Sequence, residues 1–235
     1  MSSLDEPLQA ALARVHERIS AAARAAGRAP DDIALLAVSK AFAAEAVIAA
    51  ARAGQRRFGE SYVQEAVGKI AQVRAIAPAL ELEWHFIGPI QSNKTRAIAE
   101  HFDWVHSIDR LRIAQRLSEQ RPADRPPLAV LVQVNVSGEA SKRGVAPEQA
   151  SDLAHAVARL PRLRLRGLMA IPEPERDAAR QRVPFARLRE LLQRLQREGL
   201  AVDTLSMGMS ADLEAAIAEG ATIVRVGTAI FGQRT

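Results

Sequence analysis

The lysines are the residues whose chemistry is most suggestive in this chain. Only four of the 32 basic residues are lysine, namely Lys40, Lys69, Lys94 and Lys142, and the others are arginine. A lysine amine can lose its proton and act as a nucleophile, whereas an arginine stays charged. Lys40 directly follows an apolar run at 33–39, and partial desolvation there favours the neutral amine that condenses with aldehydes. Lys40 is therefore a candidate for imine chemistry, with a solvated lysine at a strand end as the alternative.

Two later segments have the residue types of an anion site. The SMGMS turn lies between a β-rich run and an amphipathic segment, where Ser210 is suited to capping a helix. Unpaired backbone N–H groups at a helix start attract phosphate. The VGTAIFG segment adds a glycine and a hydroxyl donor. The candidates for cofactor binding here are Ser206, Met207, Gly208, Ser210, Gly227 and Thr228, and a plain helix cap is the alternative for the first segment.

Two polar residues are expected to point into the interior of the fold. Arg225 lies between two valines on a predicted strand, so its side chain faces away from the valines, which pack under helices. Asn135 lies between valines in the same way and is a further pocket candidate. Lys40, a phosphate-binding segment and an inward arginine together predict a pocket for pyridoxal phosphate. In it, Lys40 would hold the aldehyde and Arg225 would face the ring nitrogen.

The elements that must position these residues alternate between strands and helices. The β-rich runs are 33–39, 56–60, 84–88, 104–108, 129–135, 163–170, 203–208 and 222–227, with helical stretches between them. Eight β/α repeats predict an α/β fold, a single (β/α)8 TIM barrel domain over 1–235, with its site at the carboxyl ends of the strands. An open doubly wound sheet is the alternative, but the Gly-x-Gly-x-x-Gly fingerprint is missing.

The ends of the chain carry a further expectation. Apolar positions at helical spacing in 5–26 predict an extra N-terminal helix. The segment 228–235 after the last run is too short for a full covering helix. We therefore expect the N-terminal helix to cover the last strand, because the outer face of a strand must be buried.

The composition excludes several classes of protein. Among 235 residues, 48% are hydrophobic and none is cysteine, and the net charge of +5 is spread along the chain rather than gathered in a basic patch. We therefore expect no disulfide, no nucleic-acid partner and no metal site, since the five histidines lack paired spacing. His85 is expected to fill the barrel interior. Apolar runs of six residues are too short to span a membrane, and the acidic start differs from a signal peptide, which predicts a cytoplasmic protein.

The chain also resembles the pyridoxal phosphate homeostasis proteins over 33–234. The blocks that carry the resemblance are AVSK, FGESYVQE, WHFIGPIQSNK, VHSID, VQVNVSGEASKRGV, GLMAI and LSMGMSADLEAAIAEGATIVRVGTAIFG. The resemblance implies an alanine-racemase-like barrel that holds the cofactor as an aldimine, or Schiff base, on Lys40. It implies that Ser210, Gly227 and Thr228 hold the phosphate and Arg225 the pyridine nitrogen. The implied role is storage, delivery or buffering of vitamin B6 cofactor, with pyridoxal phosphate-dependent apoenzymes as recipients.

Three positions leave questions about this resemblance. Ser61 stands where the family usually has Asn, so a hydrogen bond from that position to the cofactor is in doubt, and Ala41 stands where Thr is common. Lys142 follows in a glycine-containing loop. Its role stays open between phosphate attraction, cofactor transfer and a solvated loop charge.

The alternative function is a pyridoxal phosphate-dependent amino-acid racemase or related lyase. Racemisation needs two acid/base groups on opposite faces of the substrate. This chain has one tyrosine, Tyr62, and is too short for the second domain of the related racemases. An arginine at the ring nitrogen also makes the ring a poorer electron sink. We therefore expect a monomeric carrier without catalytic residues.

Overall fold

Eight parallel strands form a closed barrel in the computed structural model, which describes residues 5–138 and 143–233. Each strand pairs with the next one in sequence, and β8 pairs with β1. The strands are β1 (Ala34–Val38), β2 (Arg57–Glu60), β3 (Glu83–Phe86), β4 (Trp104–Ile108), β5 (Leu128–Gln133), β6 (Leu163–Met169), β7 (Thr204–Ser206) and β8 (Ile223–Val226). The barrel prediction is confirmed, and the open sheet is excluded.

Helices follow the strands and surround the barrel. They are α1 (Asp5–Ala25), α2 (Ala44–Arg52), α3 (Val63–Ile76), α4 (Thr95–His101), α5 (Leu111–Gln120), α6 (Pro147–Ala158), α7 (Ala178–Arg197), α8 (Leu213–Ala218) and α9 (Thr228–Phe231). The outward side chains of the strands meet this helical layer. Phe86 of β3, for example, lies edge-on to Phe102 at the end of α4, and both rings are fully buried. Burial of such apolar surface is the main stabilising contribution to the fold.

The N-terminal helix α1 lies on the side of the barrel between the last and first repeats. α9 has four residues, and α1 packs against it and against α2 and α8. The apolar positions at helical spacing on α1 are buried, and they are Leu8, Leu12, Val15 and Ile19. Arg18 joins α1 to α8 through Glu214, with 2.8 Å between Nη2 and Oε1. The expected extra helix is therefore confirmed between the last and first repeats.

One glycine shows how closely the strands approach each other. Gly167 lies on β6 with a φ of 153°, and a Cβ at this position would collide with the carbonyl oxygen of Thr204 on β7. We expect Gly167→Ala to lower the free energy of unfolding by at least about 2 kcal/mol, because backbone strain and overpacking add.

Urea denaturation of the variant and a matched control measures this effect. Gly199 also has a positive φ, of 90°, but apart from its two neighbours in the chain no described residue lies within 4 Å of an added Cβ. Gly199→Ala reports the cost of the backbone conformation alone, and we expect it to be clearly smaller. Equal losses in the two variants would contradict a role for the contact between β6 and β7.

Candidate functional site

A cavity of about 310 Å³ lies where the carboxyl ends of several strands meet. Its walls come from the segments after β1, β2, β3, β6, β7 and β8. The lining residues are Val38, Lys40, Phe42, Ser61, Ile87, Ile171, Met209, Ser210, Ala211, Arg225, Gly227, Thr228 and Gly232. The fold thus brings Lys40, from the first repeat, to the same cavity as Ser210, Arg225, Gly227 and Thr228 from the last two repeats. Larger grooves of about 810 and 920 Å³ lie elsewhere on the surface and lack this combination of groups.

The backbone on both sides of Lys40 is held by a buried ionic cluster. Lys69 on α3 donates from Nζ to the carbonyl oxygen of Ser39 at 2.7 Å, to Glu60 Oε1 at 2.6 Å and to Glu65 Oε1 at 2.9 Å. Ser39 Oγ donates to Glu60 Oε1 at 2.7 Å. Glu65 Oε1 accepts the N–H of Ala41 at 2.7 Å. The cluster of Ser39, Glu60, Glu65 and Lys69, named here the Lys69 cluster, therefore fixes the residues that flank Lys40.

The charges of this cluster depend on one another. Glu60 and Lys69 are buried, and burial raises the pKa of Glu60, whereas the Lys69 ammonium opposes that rise. Glu60 Oε2 is buried and has no hydrogen-bond partner among the residues that the structure describes. Sequence reasoning missed the Lys69 cluster, although two signals pointed to it. Lysine is rare in this chain, and Glu65 lies four residues before Lys69 on the same helix.

Arg225 points into the barrel interior, as its alternation with valines predicts. It is buried, and its Nη1 donates to the carbonyl oxygen of Ser206 at 2.6 Å and to Ser206 Oγ at 2.7 Å. Its Nη2 donates to the carbonyl oxygen of Ala170 at 2.9 Å. Burial lowers the pKa of Arg225 to about 10, and the Asp212 carboxylate opposes this shift. The guanidinium is still charged at neutral pH, with N–H groups left for a ligand in the cavity.

The predicted site residues in the turn after β7 have two different roles. Ser210 lines the cavity, whereas Ser206, Met207 and Gly208 lie behind it and are buried. Met207 donates its N–H to the carbonyl oxygen of Ile223, and the carbonyl of Gly208 accepts from the N–H of Arg225. These three residues fix β7 against β8 and hold Arg225. Direct contact between them and a cofactor remains a prediction.

The helix after this turn begins later than expected. Ser210 does not cap it, because α8 starts at Leu213 with Asp212 at the capping position. Asp212 Oδ1 accepts the N–H of Met209 at 2.6 Å and so closes the turn one residue before Ser210. The expectation of a cap at Ser210 was wrong, and its hydroxyl is left at the cavity wall.

Asn135 lies in a different place from the one predicted. β5 ends at Gln133, and the N–H of Asn135 pairs with the carbonyl oxygen of Val145 in the returning chain at 2.9 Å. Asn135 Oδ1 accepts the N–H of Gly138 at 3.2 Å. The residue lines the groove of about 920 Å³ together with Arg187 of α7 rather than the cavity at Lys40. Its proposed contact with a cofactor therefore lacks geometric support, and Lys142 falls outside the described residues.

Metal binding and membrane insertion can be examined in the residues that the structure describes. Within residues 5–138 and 143–233, no group of three or more His, Cys, Asp or Glu side chains is arranged to hold a metal ion. Over the same ranges, no helix has the length and apolar character needed to cross a bilayer.

His85 is fully buried in the barrel, where it was expected as filling, and it is also hydrogen-bonded to His106.

Comparison with known proteins agrees with this geometry. The family model for the alanine racemase N-terminal domain matches residues 11–235, so the fold and cavity define a barrel of that class. An alanine racemase structure from Corynebacterium glutamicum has a TM-score of 0.68 at 18% identity, covering 93% of this chain and 60% of the racemase. That likeness shows a shared fold alone.

Two relatives of higher sequence identity indicate the family within this class of barrel. The pyridoxal phosphate homeostasis protein of Pseudomonas aeruginosa PAO1 is 66% identical over 95% of this chain and 94% of its own length. The structure of PipY from Synechococcus elongatus PCC7942 with pyridoxal phosphate bound has a TM-score of 0.82 at 36% identity, covering 96% of this chain and all of PipY. The chain belongs to the pyridoxal phosphate homeostasis protein family.

Proposed function

We propose that this chain binds pyridoxal phosphate in the cavity at Lys40 and stores, delivers or buffers the cofactor in the cell. The observation that carries the proposal is the lining of one cavity by a lysine amine, two hydroxyls and a buried arginine, from Lys40, Ser210, Thr228 and Arg225. Each group matches one functional group of the cofactor. The bound cofactor in PipY, a relative at 36% identity, supports the same assignment.

The residues present fit this ligand in size and chemistry. A cavity of about 310 Å³ is of the size that encloses a small molecule. The Lys40 amine condenses with the aldehyde to form an imine and releases one water molecule. The hydroxyls of Ser210 and Thr228 donate to the phosphate, and Arg225 donates to the ring nitrogen. A Cβ on Gly227 would press on the Val38 carbonyl oxygen at 3.1 Å, so this glycine also serves the packing of β8 on β1.

The arrangement favours a carrier over an enzyme. Arg225 can only donate hydrogen bonds, so the ring nitrogen facing it stays unprotonated and withdraws electrons poorly. Tyr62, the one tyrosine of the chain, is 54% exposed and is not among the residues lining the cavity. We propose that the chain acts as one monomeric binding domain over 1–235, in the cytoplasm, and that pyridoxal phosphate-dependent apoenzymes receive its cofactor.

Absorption spectroscopy of the purified protein tests the proposal. Titration with pyridoxal phosphate is expected to give a visible band that saturates at one equivalent and disappears on borohydride reduction. Pyridoxine phosphate, which has an alcohol in place of the aldehyde, should compete without giving the band. Absence of a saturable band would overturn the proposed binding function, and amino-acid racemisation on the order of 1 s⁻¹ or faster would overturn the carrier assignment.

The phosphate contact gives a prediction of its own. Thr228→Val removes one hydroxyl donor from the cavity wall while keeping the shape of the side chain. Loss of a hydrogen bond to a charged group should raise the Kd for pyridoxal phosphate roughly tenfold. The Kd for pyridoxal, which has no phosphate, should stay within about threefold.

Isothermal titration of both ligands measures this difference. Ser137→Ala is the control, because Ser137 lines the separate groove near Asn135. An equal loss for pyridoxal and pyridoxal phosphate in Thr228→Val would mean that Thr228 shapes the cavity without contacting the phosphate.

A further inference from the structure

A chain of hydrogen bonds runs through the barrel interior from the cavity, at the carboxyl ends of the strands, to Glu83 at the amino end of β3. Arg225 Nη1 lies 2.7 Å from Ser206 Oγ, which lies 2.9 Å from His106 Nδ1. His106 Nε2 lies 2.8 Å from His85 Nδ1, and His85 Nε2 lies 2.8 Å from Glu83 Oε1. Both histidines and Ser206 are fully buried, whereas the Glu83 side chain is 39% exposed. These five residues are named here the interior chain.

The donors of the interior chain all point in one direction. A guanidinium only donates, so Ser206 Oγ accepts from Arg225. The Glu83 carboxylate only accepts, so His85 Nε2 carries a proton and, in a neutral ring, His85 Nδ1 accepts from His106. This leaves His106 Nδ1 as the acceptor of the Ser206 hydroxyl hydrogen. A neutral His106 then carries its proton on Nε2 and donates to His85 Nδ1. His85 in turn carries its proton on Nε2 and donates to the carboxylate of Glu83. Every hydrogen bond uses one available proton, which assigns the same Nε2–H tautomer to both imidazoles.

The surroundings keep both imidazoles neutral. Burial lowers the pKa of His85 and brings the pKa of His106 well below its ordinary value. Coulombic repulsion from His85 and from Arg225 lowers the pKa of His106 further. At His85, the carboxylates of Glu83 and Asp103 act against burial, and Arg57 acts with it.

We propose that Ser206, His106, His85 and Glu83 are positioning residues that set the orientation of Arg225 toward the ring nitrogen of the ligand. This inference rests on the proposed function. Ser206 receives two N–H groups of Arg225, one on its carbonyl oxygen and one on Oγ. The second contact requires the hydroxyl hydrogen to point away from the guanidinium, and the Nδ1 lone pair of His106 keeps it there. Without that acceptor the hydroxyl can rotate its hydrogen toward Arg225, and the guanidinium loses its fixed orientation.

Nuclear magnetic resonance of the ligand-free protein tests the direction of the chain. In ¹⁵N-histidine-labelled protein at pH 7, His85 and His106 are expected as neutral rings protonated on Nε2. Ser206→Ala should shift the Nδ1 resonance of His106, while exposed His16 serves as the reference that stays unchanged. An Nδ1–H tautomer or an imidazolium at either buried position would overturn the proposal, whether or not the protein binds pyridoxal phosphate.

Ligand discrimination tests the effect on Arg225. The probe is an analogue of pyridoxal phosphate in which C–H replaces the ring nitrogen. We expect the wild-type chain to bind pyridoxal phosphate at least roughly tenfold more tightly than the analogue, because the analogue leaves a donor of Arg225 unpaired. Ser206→Ala and His106→Gln should reduce this ratio to within about threefold while changing the Kd of the analogue little.

The outcomes separate this inference from the proposed function. His106→Phe removes the acceptor of the Ser206 hydroxyl completely. If the buried phenyl ring impairs folding, the smaller change Ser206→Ala still tests the proposal. His16→Gln is the matched control and should retain the wild-type ratio. Equal weakening of both ligands in Ser206→Ala and His106→Gln would overturn the positioning role. Failure of the wild-type chain to bind pyridoxal phosphate at all would overturn the proposed function instead.

Discussion

Lys40→Met is expected to abolish the visible absorption band that pyridoxal phosphate gives with the wild-type chain. Methionine keeps the length and the apolar stem of lysine but has no amine to condense with the aldehyde. Only the phosphate and ring contacts remain, so we expect the Kd for pyridoxal phosphate to rise by roughly 100-fold or more. Absorption titration measures the band, and isothermal titration measures the remaining affinity.

Two controls make this result specific to imine formation. Lys94 lies in the turn Ser92–Lys94 before α4 and outside the cavity lining, so Lys94→Met should leave the band unchanged. The Kd for pyridoxine phosphate, which cannot form an imine, should change by less than about threefold in Lys40→Met. A full visible band in Lys40→Met would remove Lys40 from the site.

Glu60→Gln is expected to be the most destabilising single charge removal at the site. It leaves the Lys69 ammonium buried with Glu65 as its remaining carboxylate. Removing one partner of a buried ion pair typically costs about 3 to 5 kcal/mol. Because a neutral amide oxygen replaces the charged acceptor of both Ser39 and Lys69, the segment that carries Lys40 should loosen, and the affinity for pyridoxal phosphate should fall as well.

Urea denaturation and ligand titration measure these two effects. Glu214→Gln makes the same chemical change in the exposed pair with Arg18, where we expect less than about 1 kcal/mol. The double variant Glu60→Gln with Lys69→Met should recover part of the lost stability, since it no longer buries an uncompensated charge. A loss in Glu60→Gln no larger than in Glu214→Gln would contradict the role of the Lys69 cluster.

Local patterns predicted the elements and the inward direction of Arg225. Alternation of Arg225 with valines fixes the face of its side chain on a strand, and the apolar spacing in α1 fixes a helix. The lysine at the end of the first run reaches the cavity because parallel strands of a barrel all end at one rim. These inferences use periods of two or 3.6 residues, which can be read from a sequence.

Competition between nearby partners was not predictable in the same way. Ser210 and Asp212 could each close the turn after β7, and the carboxylate of Asp212 accepts the N–H of Met209. Asn135 was expected on a continuing strand, but the chain returns and pairs there with Val145. In both cases the structure has a contact that depends on the path of the backbone, in place of the one that the local sequence pattern predicts.

Contacts between distant strands were beyond sequence reasoning. His85 meets His106 across 21 residues of sequence, and His106 meets Ser206 across 100. The Lys69 cluster depends on α3 packing beside the ends of β1 and β2. Such networks follow from barrel register, and a single sequence does not specify that register residue by residue.

Mapping of the borohydride-reduced adduct tests the central assignment most directly. The protein is loaded with one equivalent of pyridoxal phosphate, reduced, digested and analysed by mass spectrometry. We predict a single major pyridoxyl-modified peptide, with the modification on Lys40. A major adduct on Lys69, Lys94 or Lys142 would contradict the assignment of the cavity at the barrel mouth as the cofactor site.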